Sequence, residues 1–238
     1  MKSYIAGILA VLTCLALAGC RKDVSSVVTE TVPNSEISLK ETMAPTETFA
    51  AEMIPQPQDA VFVAAEDYIP DIHVELKYAA EDNFTGKVIY EFSTAYLRYG
   101  TVRKLAAVQA DLRELGLGLK IWDGFRPVSA QFKLWEVCPD SRYVANPEKG
   151  FSNHNRGNAV DVTLVDSEGK ELPMPTDFDD FTEKADRDYS DCSEEAANNA
   201  QLLEILMEKH GFSGYYKEWW HYSDTVTYPV EEYFQPTY

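Results

Sequence analysis

The feature that most constrains this chain is an apolar strand with an aspartate in its middle. In NAVDVTLVDSEGKELPM, Val160, Val162 and Leu164 alternate with a second row of side chains that contains Asp161, and DSEGK then supplies a turn. The pattern predicts a β-hairpin with two unlike faces. Burial of a carboxylate is costly unless it is paired or bound to a metal. Asp161 therefore lies either in a polar site or on an exposed strand face.

Helices and strands alternate irregularly around this hairpin. One helix is predicted over TVRKLAAVQADLRE and ends at Gly116, a second begins near Ser129, and a third begins at Ser193 and ends at Gly211. Single strands are predicted for LGLKIWD and for SGYYKEWWHYSD. Because no regular β-α-β-α series occurs, the sequence favours an α+β fold: one domain over residues 61–238, with a central, mainly antiparallel sheet flanked by helices.

The first 60 residues have a different composition. Residues 1–19 combine an early lysine with an apolar run too short to span a bilayer, and Cys20 follows Ala-Gly. This arrangement resembles the lipobox of bacterial lipoproteins. It implies cleavage before Cys20, lipidation of that cysteine, and export to the periplasmic or outer face of a bacterial membrane. The alternative is an ordinary secretory signal. Residues 20–60 are rich in Ser, Thr, Glu and Pro, which predicts a disordered linker.

The net charge of the chain argues against one class of partner, and its cysteines raise the question of a disulfide. The 238-residue chain carries a formal net charge of −18, which argues against nucleic acid, because phosphate binding needs clustered Lys and Arg. After processing, Cys138 and Cys192 would remain, and the sequence leaves open whether they form a disulfide.

Three donors far apart in the chain suit a metal ion. A zinc hydrolase needs three protein ligands and one open position, and His154, Asp161 and His221 supply suitable atoms. Gly157 allows the loop that carries His154 to turn back toward the strand. Glu218 precedes His221 by three residues, so a regular strand would point them to opposite sides. Both side chains can act at one metal site only if the strand is irregular between them, so we predict an irregularity around Trp219-Trp220.

Taken together, the motifs resemble a known family. SNHNRGNAVD fits S-x-H-x-x-G-x-A-x-D and EWWH fits E-x-W-H, which are signatures of the zinc D,D-peptidases related to the Hedgehog metal-binding domain. KYAAEDNFTGK, WDGFRP, MPTDFDDF and EWWHY resemble the VanX-like D-alanyl-D-alanine dipeptidases in the same order, over about residues 70–225. The sequence departs from the family pattern at TEKADRDYSDCSEE, where members often carry histidine.

The resemblance implies a role for each matching residue. His154, Asp161 and His221 would bind one zinc ion, and Glu218 would be the general base. The remaining matches are Arg126, which would stabilise the transition state, Asp179, which would bind the substrate ammonium, and Ser152, Tyr78 and Asp123, which would line or support the pocket.

The resemblance also implies an activity, hydrolysis of the dipeptide D-Ala-D-Ala. Two alternatives remain open at this stage. A zinc D,D-carboxypeptidase acting on peptidoglycan stem peptides would use the same chemistry in a more open cleft. A non-catalytic zinc-containing binding module is disfavoured by Glu218 and Arg126, because a structural zinc site needs neither a base nor a free position.

Overall fold

The computed structural model describes residues 56–236. The predicted signal peptide, Cys20 and the linker up to residue 55 lie outside this range. The helices and strands are, in chain order, β1 (Phe62–Ala64), α1 (Ala65–Tyr68), β2 (His73–Val74), β3 (Tyr96–Arg98), α2 (Tyr99–Glu114), β4 (Leu117–Asp123), α3 (Val128–Val137), β5 (Ala159–Asp166), α4 (Glu194–Lys209), β6 (Phe212–Tyr215) and β7 (Glu218–Asp224). Short 3₁₀ turns cover Lys77–Ala79, Asn153–Arg156 and Glu183–Ala185.

The main sheet has five strands in the order β2-β4-β5-β7-β6. Only the pairing of β2 with β4 is parallel; the other three pairings are antiparallel. A separate two-stranded sheet pairs β1 with β3. The predicted α+β class with a mainly antiparallel sheet is therefore confirmed, whereas the small β1–β3 sheet was not predicted.

The helices bury one face each, as their sequence periods predict. In α2, the buried residues Val102, Leu105, Val108 and Leu112 recur at helical spacing and face the sheet. Helix α4 is capped by the Ser193 hydroxyl, which accepts a hydrogen bond from the Ala196 amide. Within residues 56–236, no helix is sufficiently long and apolar to cross a bilayer.

The structure corrects the expectation for SGYYKEWWHYSD. This segment is not one strand but two, β6 and β7, joined by a tight turn at Tyr216 and Lys217. The two strands pair antiparallel at the edge of the main sheet. The turn lacks Gly, Pro, Asn and Asp, so the usual signal for a hairpin was missing from the sequence.

Strand β5 also differs from expectation. Seven of its eight residues are buried, including Asp161 and Thr163 on the row predicted to be more polar. The predicted return arm of the hairpin is reduced to a single bridge between Val165 and Glu171. Strand β5 is central because β4 and β7 flank it, and this position places Asp161 inside the protein.

The question of a disulfide between the two remaining cysteines is answered by the structure. Cys138 and Cys192 are both free, half-buried thiols.

Candidate active site

Strand pairing brings the first two predicted ligands together. Asp161 of β5 lies directly opposite His221 of β7 in the antiparallel ladder. The Oδ1 atom of Asp161 is 3.0 Å from Nδ1 of His221. Residues opposite each other in adjacent strands have neighbouring side chains on the same face, so the register itself sets this contact.

A short loop delivers the third predicted ligand. His154 lies in the 3₁₀ turn before β5, and Ser152 caps that turn by accepting a hydrogen bond from the His154 amide. Gly157 ends the turn at φ 74°, and a Cβ there would come within 2.3 Å of the Phe62 ring. Only glycine fits this close approach in a left-handed conformation. The loop therefore turns back toward β5, as predicted.

The three donor atoms form a compact triangle. Nε2 of His154 is 3.1 Å from Nδ1 of His221 and 3.4 Å from Oδ1 of Asp161. A tetrahedral zinc ion with bonds of about 2.0–2.1 Å would hold neighbouring ligand atoms about 3.4 Å apart. The donor types and their spacing thus fit a divalent metal such as zinc.

Hydrogen bonds outside the triangle orient both imidazoles. Nδ1 of His154 donates to the Gly124 carbonyl at 2.8 Å, so the lone pair on Nε2 faces the triangle. Nε2 of His221 lies 3.2 Å from the Ser223 hydroxyl, and a proton shared there leaves Nδ1 free for a metal. Such outer partners fix the ring orientation and tautomer of metal-binding histidines.

The predicted irregularity in β7 is present. Gly214 of β6 pairs with Tyr222, but the next residue, Tyr215, pairs with Glu218. Trp219, Trp220 and His221 therefore bulge out of the β6–β7 ladder. The bulge lets Glu218 reach the side of the strand where His221 lies: Oε2 of Glu218 is 4.0 Å from Nδ1 of His221.

Arg126 is held rigidly beside the cleft. Its Nε and Nη2 atoms donate to Oδ2 of Asp123 at 3.1 and 2.7 Å, and Nη1 donates to Gln131 at 3.0 Å. Asp123 also accepts hydrogen bonds from the Tyr90 hydroxyl and the Gly124 amide. The ion pair with Asp123 therefore fixes the Arg126 cation at the edge of the cleft. Sequence reasoning missed Gln131 and Tyr90, which carry no motif of their own.

Asp179 reaches the same cleft from the loop after β5. Its φ of 58° is a left-handed conformation that Asp and Asn tolerate better than most residues. The Tyr78 hydroxyl donates to Oδ2 of Asp179 at 2.9 Å. Tyr78 is fully enclosed between Phe84, Tyr90 and Phe178, so it is a fixed partner for this carboxylate.

The carboxylates of the cleft repel one another. Burial, and then the charges of Asp161 and Asp179, raise the pKa of Glu218 well above its ordinary value. Burial and the charge of Asp161 likewise raise the pKa of Asp179. For Asp161 itself, the two histidines overcome the effect of burial and lower its pKa. A site with this excess of negative charge fits a bound cation, which would lower the pKa of neighbouring acids.

All the active-site residues predicted from the sequence except Asp123 line one cavity of about 300 Å³. Asp123 lies behind Arg126 instead. The opposite wall was not predicted: Tyr143 stacks on Phe181 with ring centroids 4.6 Å apart, and the Tyr215 hydroxyl donates to the Arg142 carbonyl. The volume is at the lower end for small-molecule pockets, which span roughly 300–1,000 Å³.

Comparison with known proteins agrees with this geometry. The family model described as D-ala-D-ala dipeptidase, of the peptidase M15 group, matches residues 58–235. The chain belongs to this family. It is 39% identical to D-alanyl-D-alanine dipeptidase of Escherichia coli (strain K12) over 163 residues, which cover 68% of this chain and 84% of that protein. The predicted peptidase class is confirmed.

The chain is also similar to a second curated protein and to a solved structure. The chain is 33% identical to D-alanyl-D-alanine dipeptidase of Enterococcus faecalis (strain ATCC 700802 / V583) over 181 residues, which cover 68% of this chain and 90% of that protein. Among solved structures, the LdcB LD-carboxypeptidase aligns with a TM-score of 0.41 and 19% identity, covering 71% of this chain and 69% of that one.

The donor triangle of this dipeptidase-family chain predicts a zinc-dependent gain in stability. Zinc added to the metal-free protein at 100 times its dissociation constant should add about 2.7 kcal/mol to the free energy of unfolding. His221→Ala removes one donor, so most of the associated rise in melting temperature should disappear. Differential scanning fluorimetry of metal-free samples measures this.

A matched control is available in His210. This histidine lies at the end of α4 against Asp111, outside the triangle. His210→Ala should keep the full zinc-dependent rise in melting temperature. An equal rise in His221→Ala and wild type would remove His221 from the ligand set.

Proposed function

We propose that the protein hydrolyses D-Ala-D-Ala with one zinc ion bound by His154, Asp161 and His221. The observation that carries the proposal is the convergence of these three donors with Glu218 and Arg126 in one cleft. Membership of the D-Ala-D-Ala dipeptidase family supports the same substrate class.

Each side chain has a task that follows from its position. A zinc ion at the triangle would lower the pKa of a bound water and polarise the scissile carbonyl. Glu218, next to His221, accepts the proton of the attacking water and delivers it to the leaving amine. Arg126 faces the carbonyl oxygen as negative charge builds on it. Asp123 and Gln131 keep the guanidinium oriented before the substrate arrives.

Selection of a dipeptide rests on Asp179. Its carboxylate, held by Tyr78, binds the free ammonium of the substrate, and the approaching charge stabilises the ionised form of Asp179. An internal residue of a longer peptide has no ammonium at that place, so Asp179 would stay buried without a cationic partner. The small volume of the cavity, part of which is lined by the stacked rings of Tyr143 and Phe181, supports the same preference over a stem peptide.

The general-base role predicts a specific loss. Glu218→Gln keeps the shape of the side chain but cannot accept a proton, so kcat should fall by about 10²–10⁴-fold while bound zinc stays at the wild-type level. Turnover of D-Ala-D-Ala and metal content should be measured on the same sample. Glu208→Gln, an equivalent change on the exposed face of α4, should leave kcat unchanged. Near-wild-type kcat in Glu218→Gln would exclude Glu218 as the base.

The ammonium pocket predicts a change in selectivity. Asp179→Asn keeps a residue that tolerates φ 58° but removes the charge. We expect kcat/KM for D-Ala-D-Ala to fall roughly 10–100-fold, as for loss of a charged hydrogen bond, with little change for N-acetyl-D-Ala-D-Ala. Equal losses on both substrates would contradict the role. Efficient release of D-Ala from a stem pentapeptide by the wild type would instead favour the D,D-carboxypeptidase alternative.

We also propose that the protein is exported and anchored to a bacterial membrane by lipid on Cys20. The support is the apolar run that ends in Leu-Ala-Gly before this cysteine. A tether from Cys20 to about residue 55 would then join the anchor to the catalytic body. The last residues of the predicted linker belong to that body instead, since Asp59 pairs with Arg103 of α2.

The anchor predicts where the full chain is found in a bacterial host. Wild-type protein should fractionate with membranes, and mass spectrometry of its N-terminal peptide should find an acylated Cys20. Cys20→Ser should lose the acylated N-terminal peptide and keep the apolar run that precedes residue 20, whereas Cys138→Ser should yield the same acylated peptide as wild type. A mature wild-type N-terminus without acyl chains on Cys20 would refute lipidation at this position.

A further inference from the structure

The bulge in β7 creates a backbone problem that a regular strand does not have. Trp219, Trp220 and His221 have no partner in the β6 ladder, so the carbonyl groups on that side of β7 need donors from outside the ladder. Trp219 and Trp220 are fully buried, so water is not available to their carbonyls as an alternative donor. A buried carbonyl without a donor is strongly unfavourable.

One side chain supplies the missing donors. Nη2 of Arg187 lies 3.2 Å from the carbonyl oxygen of Glu218, 3.0 Å from that of Trp219 and 3.0 Å from that of His221. Nε donates to the Tyr215 carbonyl at 2.9 Å, on the other strand of the hairpin. A single guanidinium thus binds the backbone of both the proposed base and a proposed zinc ligand.

The residues around Arg187 hold its guanidinium in place for this contact. Its side chain is only 6% exposed, Nη1 donates to the Tyr222 hydroxyl at 3.1 Å, and Glu204 lies 3.5 Å away as a counter-ion. The guanidinium also lies flat against Gly214, where an added Cβ would come within 2.4 Å of Cζ. The absence of a side chain at Gly214 therefore leaves the space that the guanidinium occupies.

We propose that Arg187 is a positioning residue that holds the β7 bulge in the shape needed to present Glu218 and His221 to the same cleft. It touches neither substrate nor the donor triangle; it acts through the carbonyl groups of the bulge. The geometry of a planar fork with five donors suits several converging carbonyls, and the three donors of a lysine suit them less well. This inference rests on the proposed zinc hydrolysis.

The expected effect separates positioning from simple stability. In Arg187→Met the carbonyls lose their donors and the bulge relaxes, so kcat should fall at least 100-fold with KM changed less than threefold. The zinc dissociation constant, measured by competition with a chromogenic chelator, should rise at least tenfold because His221 is displaced. Arg187→Lys should recover part of both quantities.

A second route to the same perturbation leaves Arg187 in place. Gly214→Ala pushes the guanidinium away from the carbonyls and should reproduce both the loss of kcat and the weaker zinc binding. This variant also keeps the test decisive if Arg187→Met does not fold. Wild-type kcat and zinc affinity in Gly214→Ala and Arg187→Lys together would overturn the proposal.

Two controls complete the design. Glu208→Gln changes an exposed carboxylate on α4 and leaves the carbonyl contacts of Arg187 intact, so its kcat and zinc affinity should match wild type. Leu203→Ala removes a fully buried side chain from α4 and should lower the melting temperature without changing zinc affinity. If Leu203→Ala weakened zinc binding as much as Arg187→Met, the Arg187 effect would be general destabilisation and the proposal would fail.

The outcome also separates this inference from the function on which it rests. If wild-type protein neither binds zinc nor hydrolyses D-Ala-D-Ala, the proposed function itself is wrong. If wild type does both and the Arg187 and Gly214 variants equal it, only the positioning role is wrong.

Discussion

The register between β5 and β7 is the constraint on which the site depends. It places Asp161 directly opposite His221, and a shift of one residue would turn one of the two side chains to the opposite face. Because β5 is buried on both faces, the Asp161 carboxylate is almost completely withdrawn from bulk water and meets only the cleft. The fold therefore encloses a charged group whose burial is favourable only with the two histidines and, as proposed, a cation beside it.

Three groups in the cleft are each fixed by a second residue. His154 is held by the Gly124 carbonyl, Arg126 by Asp123, and Asp179 by Tyr78. Asp123 and Gly124 end β4, so a single strand end orients both a proposed ligand and the proposed oxyanion donor. Donors that are fixed before the substrate binds need little reorganisation in the transition state, which is why such second partners matter for rate.

Much of this arrangement could be predicted from local sequence. Gly116 and Gly211 end their helices with positive φ, and Ser193 caps α4, because each signal acts within one turn of chain. The donor set and the irregularity at Trp219-Trp220 followed from residue chemistry and strand geometry. The β6–β7 turn was missed because Tyr216-Lys217 is not a typical turn sequence.

The contacts that the sequence could not predict are side chains bound to distant backbone. Arg187 lies in the segment that departs from the family pattern, about thirty residues before the carbonyls it binds, and neither partner carries a periodic or motif signal. A bulge exposes backbone acceptors whose direction depends on tertiary packing, so their donor can come from any nearby loop. Metal ligands need particular side chains and leave a readable motif. A group that shapes the backbone beneath them, such as the Arg187 guanidinium, is defined by its place in the folded protein, so it leaves no spacing pattern in the sequence that could identify it beforehand.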